Sequence, residues 1–247
     1  MMIDRLVKLT LEYDGTDYHG WQVQPHLPTL QGTIEKALRQ LTNCAVRITG
    51  AGRTDAGVHA LGQVAHFKPP VPFDPATWVR GLNALLPDDI AVRSAETVPP
   101  TFHARFSAKK KRYTYFIYHR HVRSPLHRRS AWFLFQPLNL EKMREASLLL
   151  IGRHDFTSFC AAAAERNDRV VDLQKIQIEQ DGEEIKITFE APRFLQYMVR
   201  NMVGLLVEVG RGKRSVEEMS TILKGRDRRL AGPTAPPQGL FLVKIDY

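Results

Sequence analysis

An aspartate inside a glycine-rich loop is the first residue of this chain with the setting for chemistry. From Gly50 to Ala60 the sequence reads Gly-Ala-Gly-Arg-Thr-Asp-Ala-Gly-Val-His-Ala, with Arg53 and Asp55 among three glycines. Glycine permits positive φ and lets another backbone approach closely. A carboxylate held there can act as a nucleophile or a base. The same pattern also serves a tight turn in which the aspartate bonds its own backbone. The loop lacks a Gly-Lys-Ser/Thr ending, so it is not a Walker phosphate cradle. His59, on the far side of Gly57, is an acid–base candidate and equally a structural residue.

Two further segments matter. Arg200 lies inside the apolar stretch Phe194 to Val209. A buried guanidinium needs a carboxylate partner, for which Asp55 and Glu208 are both candidates; snorkelling to the surface is the alternative. Ala231 to Leu240, rich in proline and glycine, reads as a stiff extended lead into a last strand. No histidine spacing of the His-Glu-x-x-His kind points to a metal site. The surroundings of Asp155 and Ser158 have no nucleophile elbow. Cys44 and Cys160 form no Cys-x-x-Cys pair, so the expectation is no zinc and a reduced, cytoplasmic setting.

Charge supplies the next constraint. The chain carries 35 Lys and Arg against 26 Asp and Glu, a formal +9. Thr101 to Ser130 holds nine Lys and Arg and no acid, as many cations as the whole formal excess. Phosphate binding needs such concentration, because affinity comes largely from counterion release. Lys109 to Arg112 runs straight into Tyr113, Tyr115, Phe116 and Tyr118. Cations beside exposed rings suit a nucleic-acid backbone track with a stacking platform; a solvated basic face is the plainer reading.

The elements that must position these residues follow from periodicity. Val7, Leu9, Leu11 and Tyr13 alternate with Lys8, Thr10 and Glu12, a half-buried strand. Leu30, Ile34, Ala37, Leu38 and Leu41 give an amphipathic helix over 29–43. Strands are expected at 45–50, 64–68, 90–98 and 112–118, with helices at 75–86 and 139–151. A hairpin turns at Asp181-Gly182 between 170–180 and 184–191. Helices follow at 194–209 and 215–223, the latter with Ser215 and Glu218 as a capping box. Phe241, Val243 and Ile245 form a closing strand. The hydrophobic content of 43% suits a globular chain, and no apolar run approaches a membrane span. The N-terminus does not read as a signal peptide. The mixture without strict β-α-β alternation predicts an α+β fold in two halves, 1–105 and 106–247.

Taken in order, these segments resemble the tRNA pseudouridine synthase A family. The stretches that carry the resemblance are Glu12 to Gln22, Gly50 to Ala60, Phe102 to Ser107, Lys111 to Tyr115, Met198 to Asn201, Gly232 to Pro236, and Gly239-Leu240. There is no departure at a catalytic position. The resemblance implies the pseudouridine synthase fold, with two mixed α/β halves whose antiparallel-rich sheets flank a central basic cleft. It implies isomerisation of uridine to pseudouridine at positions 38 to 40 of the tRNA anticodon stem-loop, without metal or cofactor. It implies Asp55 as the catalytic nucleophile or base, with Arg200 as its partner. Arg53 then holds the flipped nucleotide, Tyr113 stacks on the uracil and Leu240 packs against it. A homodimer with tRNA across both subunits is implied as well. The rival from another class is a non-catalytic RNA-binding module, which would use the same basic segment but gain nothing from a carboxylate facing phosphates. A metal-dependent nuclease would need clustered carboxylates, which the candidate loops lack.

Overall fold

The computed structural model describes residues 5–161 and 168–247. The signal-peptide reading of residues 1–4 therefore lies outside the described residues. The chain packs as two units, Met1–Lys109 with Leu242–Tyr247, and Lys110–Phe241.

The first unit contains β1 (Leu6–Tyr13), α1 (Leu30–Thr42), β2 (Thr49–Gly50), β3 (His59–Phe67), α2 (Pro75–Asn83) and β4 (Ile90–Val98). β1 lies between β4 and β3, antiparallel to both. Its side chains alternate in burial from the first residue to the last, so Val7, Leu9, Leu11 and Tyr13 all face the core. The helix α1 starts where the Thr29 side chain accepts from Gly32 N and stops where Asn43 turns left-handed at φ 56°. Leu30, Ile34 and Leu38 on its inner face are fully buried, as are Leu82 and Trp78 of α2. Each such side chain contributes about 1.5–3 kcal/mol of transfer free energy.

The second unit contains β5 (Lys110–His119), β6 (Trp132–Leu134), α3 (Leu140–Leu148), β7 (Gly152–Asp155), β8 (Val170–Leu173), β9 (Lys175–Asp181), β10 (Glu184–Ala191), α4 (Met198–Gly210) and α5 (Glu218–Gly225). β10 lies antiparallel between β5 and β9, β6 joins β5 in parallel, and β7 pairs with β8 apart from them. α3 packs on α4 and β9. The closing strand β11 (Leu240–Asp246) begins in this unit, and from Leu242 its residues belong to the first, beside β3. Lys109 N donates to Asp246 O at 2.8 Å, and Tyr247 Oη to Ala104 O at 2.8 Å.

Several boundaries differ from the periodic reading. β3 starts at His59, inside the glycine-rich motif, rather than at residue 64, and β2 shrinks to two residues. β3 is buried on both faces along nearly its whole length, so it offers no alternation to read. The helix expected from residue 194 begins at Met198, because Tyr197 is left-handed at φ 62°. Ser215 and Glu218 do form the reciprocal cap, Ser215 N donating to the Glu218 carboxylate at 2.7 Å, although regular α5 starts only at Glu218. β6 and β7, three and four residues long, were too short to announce themselves.

Candidate active site

In the first unit the two longest motif stretches pack on each other. Trp21 N donates to Thr54 O at 3.0 Å, and Gly57 N to Tyr18 O at 3.3 Å. Gly15 lies so close to Val58 that a Cβ on it would stand 2.0 Å from the Val58 carbonyl oxygen. The loop closes with Val58 N donating to Asp55 O at 3.2 Å. Asp55 is half-buried on this tethered backbone, and Arg53 is exposed, its Nε donating to Gln22 Oε1 at 3.2 Å. His59 is 3% exposed, and its Nδ1 lies 3.1 Å from both Gly15 N and the Asp14 carboxylate. That places His59 in the support of the loop.

In the second unit the motif stretches from Lys111 onward converge. Arg200 sits in the first turn of α4, partly exposed. Its Nε donates to Ala235 O at 2.8 Å, and Ala235 N donates back to Arg200 O at 3.0 Å. The guanidinium lies 5.3 Å from the Tyr197 ring centroid. Asn201, fully buried, accepts from Thr234 Oγ1 at 2.7 Å and Arg228 Nη2 at 2.9 Å. A Cβ on Gly204 would stand 1.9 Å from Pro233 O, so α4 accepts the Gly232 to Pro236 loop only with glycine there. Tyr115 Oη donates to Pro236 O at 2.8 Å, fixing the approach to Leu240, which is 5% exposed. Tyr113 is 8% exposed and meets Phe194 edge-on, centroids 5.1 Å apart.

Thus Arg53 and Asp55 stand in the first unit, and Tyr113, Arg200 and Leu240 in the second. Sequence reasoning gave no role to Tyr13 and Gln63 beneath the Asp55 loop, or to Asn201 and Thr234 behind Arg200. Tyr13, Asn201 and Thr234 lie within the motif stretches, and Gln63 stood out only as a polar residue in an otherwise apolar run.

The basic segment needs correction. Its aromatic run is no exposed platform, since Tyr115 is fully buried and Tyr113 nearly so. The exposed ring is Phe106, 70% exposed, with the Arg105 guanidinium 6.0 Å from its centroid. The segment is also not acid-free in space. Lys110 Nζ and Arg112 Nη2 lie 3.0 and 2.7 Å from the carboxylate of Glu190, and Arg120 lies 3.5 Å from Glu183. Lys110, Arg112 and Arg120 therefore meet acids delivered by β10 and the turn before it.

Glu190 gives a testable consequence. Burial alone raises its carboxyl, but hydrogen bonds and charge from Lys110 and Arg112 outweigh that and hold it below the ordinary 4.5. A depressed folded value means its stabilising contribution is present above 4.5 and lost as pH falls through the folded value. We expect the melting midpoint to fall in that acid range, and Glu190→Gln to lower the midpoint at pH 7 while flattening the acid dependence. Identical acid slopes for the two proteins in a thermal-melt series would contradict this.

Among the described residues, no group of three or more His, Cys, Asp or Glu side chains could hold a metal ion. No helix among them is long and apolar enough to cross a membrane.

Comparison with known proteins supplies the family. A family profile described as tRNA pseudouridine synthase matches residues 10–107 and 146–247. A protein of Myxococcus xanthus named tRNA pseudouridine synthase A is 46% identical over 242 residues, covering 98% of this chain and 91% of its own length. One of the same name from Thermoanaerobacter sp. (strain X514) is 46% identical over 243 residues, 98% of this chain and 100% of its own. Another, from Geobacillus sp. (strain WCH70), is 44% identical over 246 residues, 99% of each.

Proposed function

The chain belongs to the tRNA pseudouridine synthase family, and from that premise we propose that it isomerises uridine to pseudouridine in tRNA with Asp55 as the essential catalytic group. The substrate is the anticodon stem-loop, at positions 38 to 40. In the reaction the bond from C1′ to N1 breaks, the uracil turns, and C1′ bonds to C5. The proton on C5 leaves and N1 takes one up, so nothing is oxidised or reduced and no cofactor is consumed.

The observation that carries the reading is the half-buried Asp55 on a backbone tied by Trp21, Tyr18 and Val58. A rigid loop presenting one carboxylate has no use in a module that only grips phosphates, and a clear use in covalent or proton-transfer chemistry. A base stacked in a stem-loop must first be flipped out. Arg53, exposed beside the loop, holds the flipped nucleotide. Tyr113 stacks on the uracil and Leu240 packs against it. Arg200 serves as the cation that keeps the carboxylate ionised and oriented. The enzyme works in the cytoplasm as a homodimer that carries tRNA across both subunits.

The test is release of tritium from tRNA transcribed with 5-tritiated uridine. We expect release by the protein alone, undiminished by EDTA. Tight tRNA binding without release would instead favour the non-catalytic RNA-binding module, and a rate abolished by EDTA would favour metal-assisted chemistry.

A further inference from the structure

Beneath the Asp55 loop lies a polar network that the proposed reaction does not itself use. Tyr13, Thr54 and Gln63 are 3%, 5% and 0% exposed. Tyr13 Oη and Thr54 Oγ1 are 2.8 Å apart. Gln63 Nε2 lies 3.4 Å from the same phenol oxygen and donates to Gly52 O at 2.9 Å. The strands are arranged to make this possible. Val7 to Leu11 pair with Phe67 to Gln63 in regular register, but Tyr13 pairs with Ala60 after a shift between Leu11 and Tyr13. Regular pairing would have set Tyr13 opposite Leu61. Such a bulge bends one strand and re-aims a side chain.

The consequence falls on one residue. Thr54 is held at its side chain by Tyr13 and at its carbonyl by Trp21 N, while Gly52 is held by Gln63. The next carbonyl, of Asp55, accepts from Val58 N. The backbone is thus fixed on both sides of the Asp55 Cα, leaving only the side-chain torsions to be chosen. Burial pushes the Tyr13 phenol well above its ordinary range, so it stays a neutral hydroxyl at working pH. Buried hydroxyl pairs add little net stability compared with apolar groups of the same shape. Their distinguishing effect is geometric.

We propose that Tyr13, acting through Thr54 and braced by Gln63, is a positioning residue that sets the Asp55 carboxylate for the chemical step. The inference rests on the reading of Asp55 as the catalytic group. A misplacement of about 1 Å at a reacting centre can cost about a hundredfold in rate.

The experiment compares full-length wild type, Tyr13→Phe, Thr54→Val, Thr54→Ser and Asp55→Asn in single-turnover and steady-state tritium release, with tRNA affinity and melting midpoint measured in parallel. Tyr13→Phe and Thr54→Val are expected to lose about ten- to a hundredfold in kcat, with KM and tRNA affinity within about threefold of wild type. Thr54→Ser, which restores the hydroxyl, recovers most of that loss. Should Tyr13→Phe fail to fold, the Thr54→Val and Thr54→Ser pair gives the same readout. Wild-type kcat in both Tyr13→Phe and Thr54→Val, or a loss confined to KM, overturns the positioning role while Asp55→Asn remains inactive. An active Asp55→Asn overturns the reading of Asp55 itself, and the positioning role with it.

Discussion

Asp55→Asn is expected to bind tRNA and not to isomerise it. The substitution keeps the size of the side chain and removes its negative charge. Every route open to this residue needs the carboxylate, whether it attacks the ribose, adds to the pyrimidine ring or takes a sugar proton. Loss of such a group costs on the order of 10⁴-fold or more in kcat, because nothing else in the loop replaces it. The fold survives, since the main-chain ties at Thr54 O, Asp55 O and Gly57 N use no carboxylate oxygen. The melting midpoint and the affinity for tRNA should therefore stay close to wild type while tritium release disappears. Release at the wild-type rate would remove Asp55 from the mechanism.

The second large effect is expected at Arg200. Its Nε donates to Ala235 O, and the proposed reading asks the same planar guanidinium to serve the Asp55 carboxylate as well. Lysine has a single point charge and cannot serve both. Arg200→Lys is expected to lose about a hundredfold in kcat and Arg200→Met about a thousandfold, with tRNA affinity changed far less. The pH profile carries the sharper signature. A nearby cation favours the ionised carboxyl, so its removal raises the pH at which the carboxyl gives up its proton. The acidic limb of the kcat profile should move to higher pH in Arg200→Met. An unshifted limb would leave Arg200 as a brace for the Gly232 to Pro236 loop alone.

What could be read from the residues was set by how far each signal reaches. β1 and α1 follow local rules, alternation in one and a Thr29 cap with a left-handed Asn43 in the other, and both appear in the sequence. β3 obeys a non-local rule. It is buried on both faces by elements distant in the chain, so its start at His59 is invisible to periodicity. The same holds for charge. Lys110 and Arg112 look unopposed along the chain because Glu190 comes to them from the neighbouring strand, opposite Arg112 in register. The family motifs marked Asp55, Arg53, Arg200, Tyr113 and Leu240. They gave no role to Tyr13, which lies within the Glu12 to Gln22 stretch, and did not include Gln63; their hydrogen bonds join residues 41 and 50 positions apart through a strand bulge.

The most direct measurement of the central claim maps pseudouridine by position. Unmodified tRNA is incubated with the wild-type protein or with Asp55→Asn, treated with a carbodiimide that marks pseudouridine, and copied by reverse transcriptase. We expect stops at positions 38 to 40 with the wild type and none with Asp55→Asn. Stops absent in both, or present equally in both, would contradict the account.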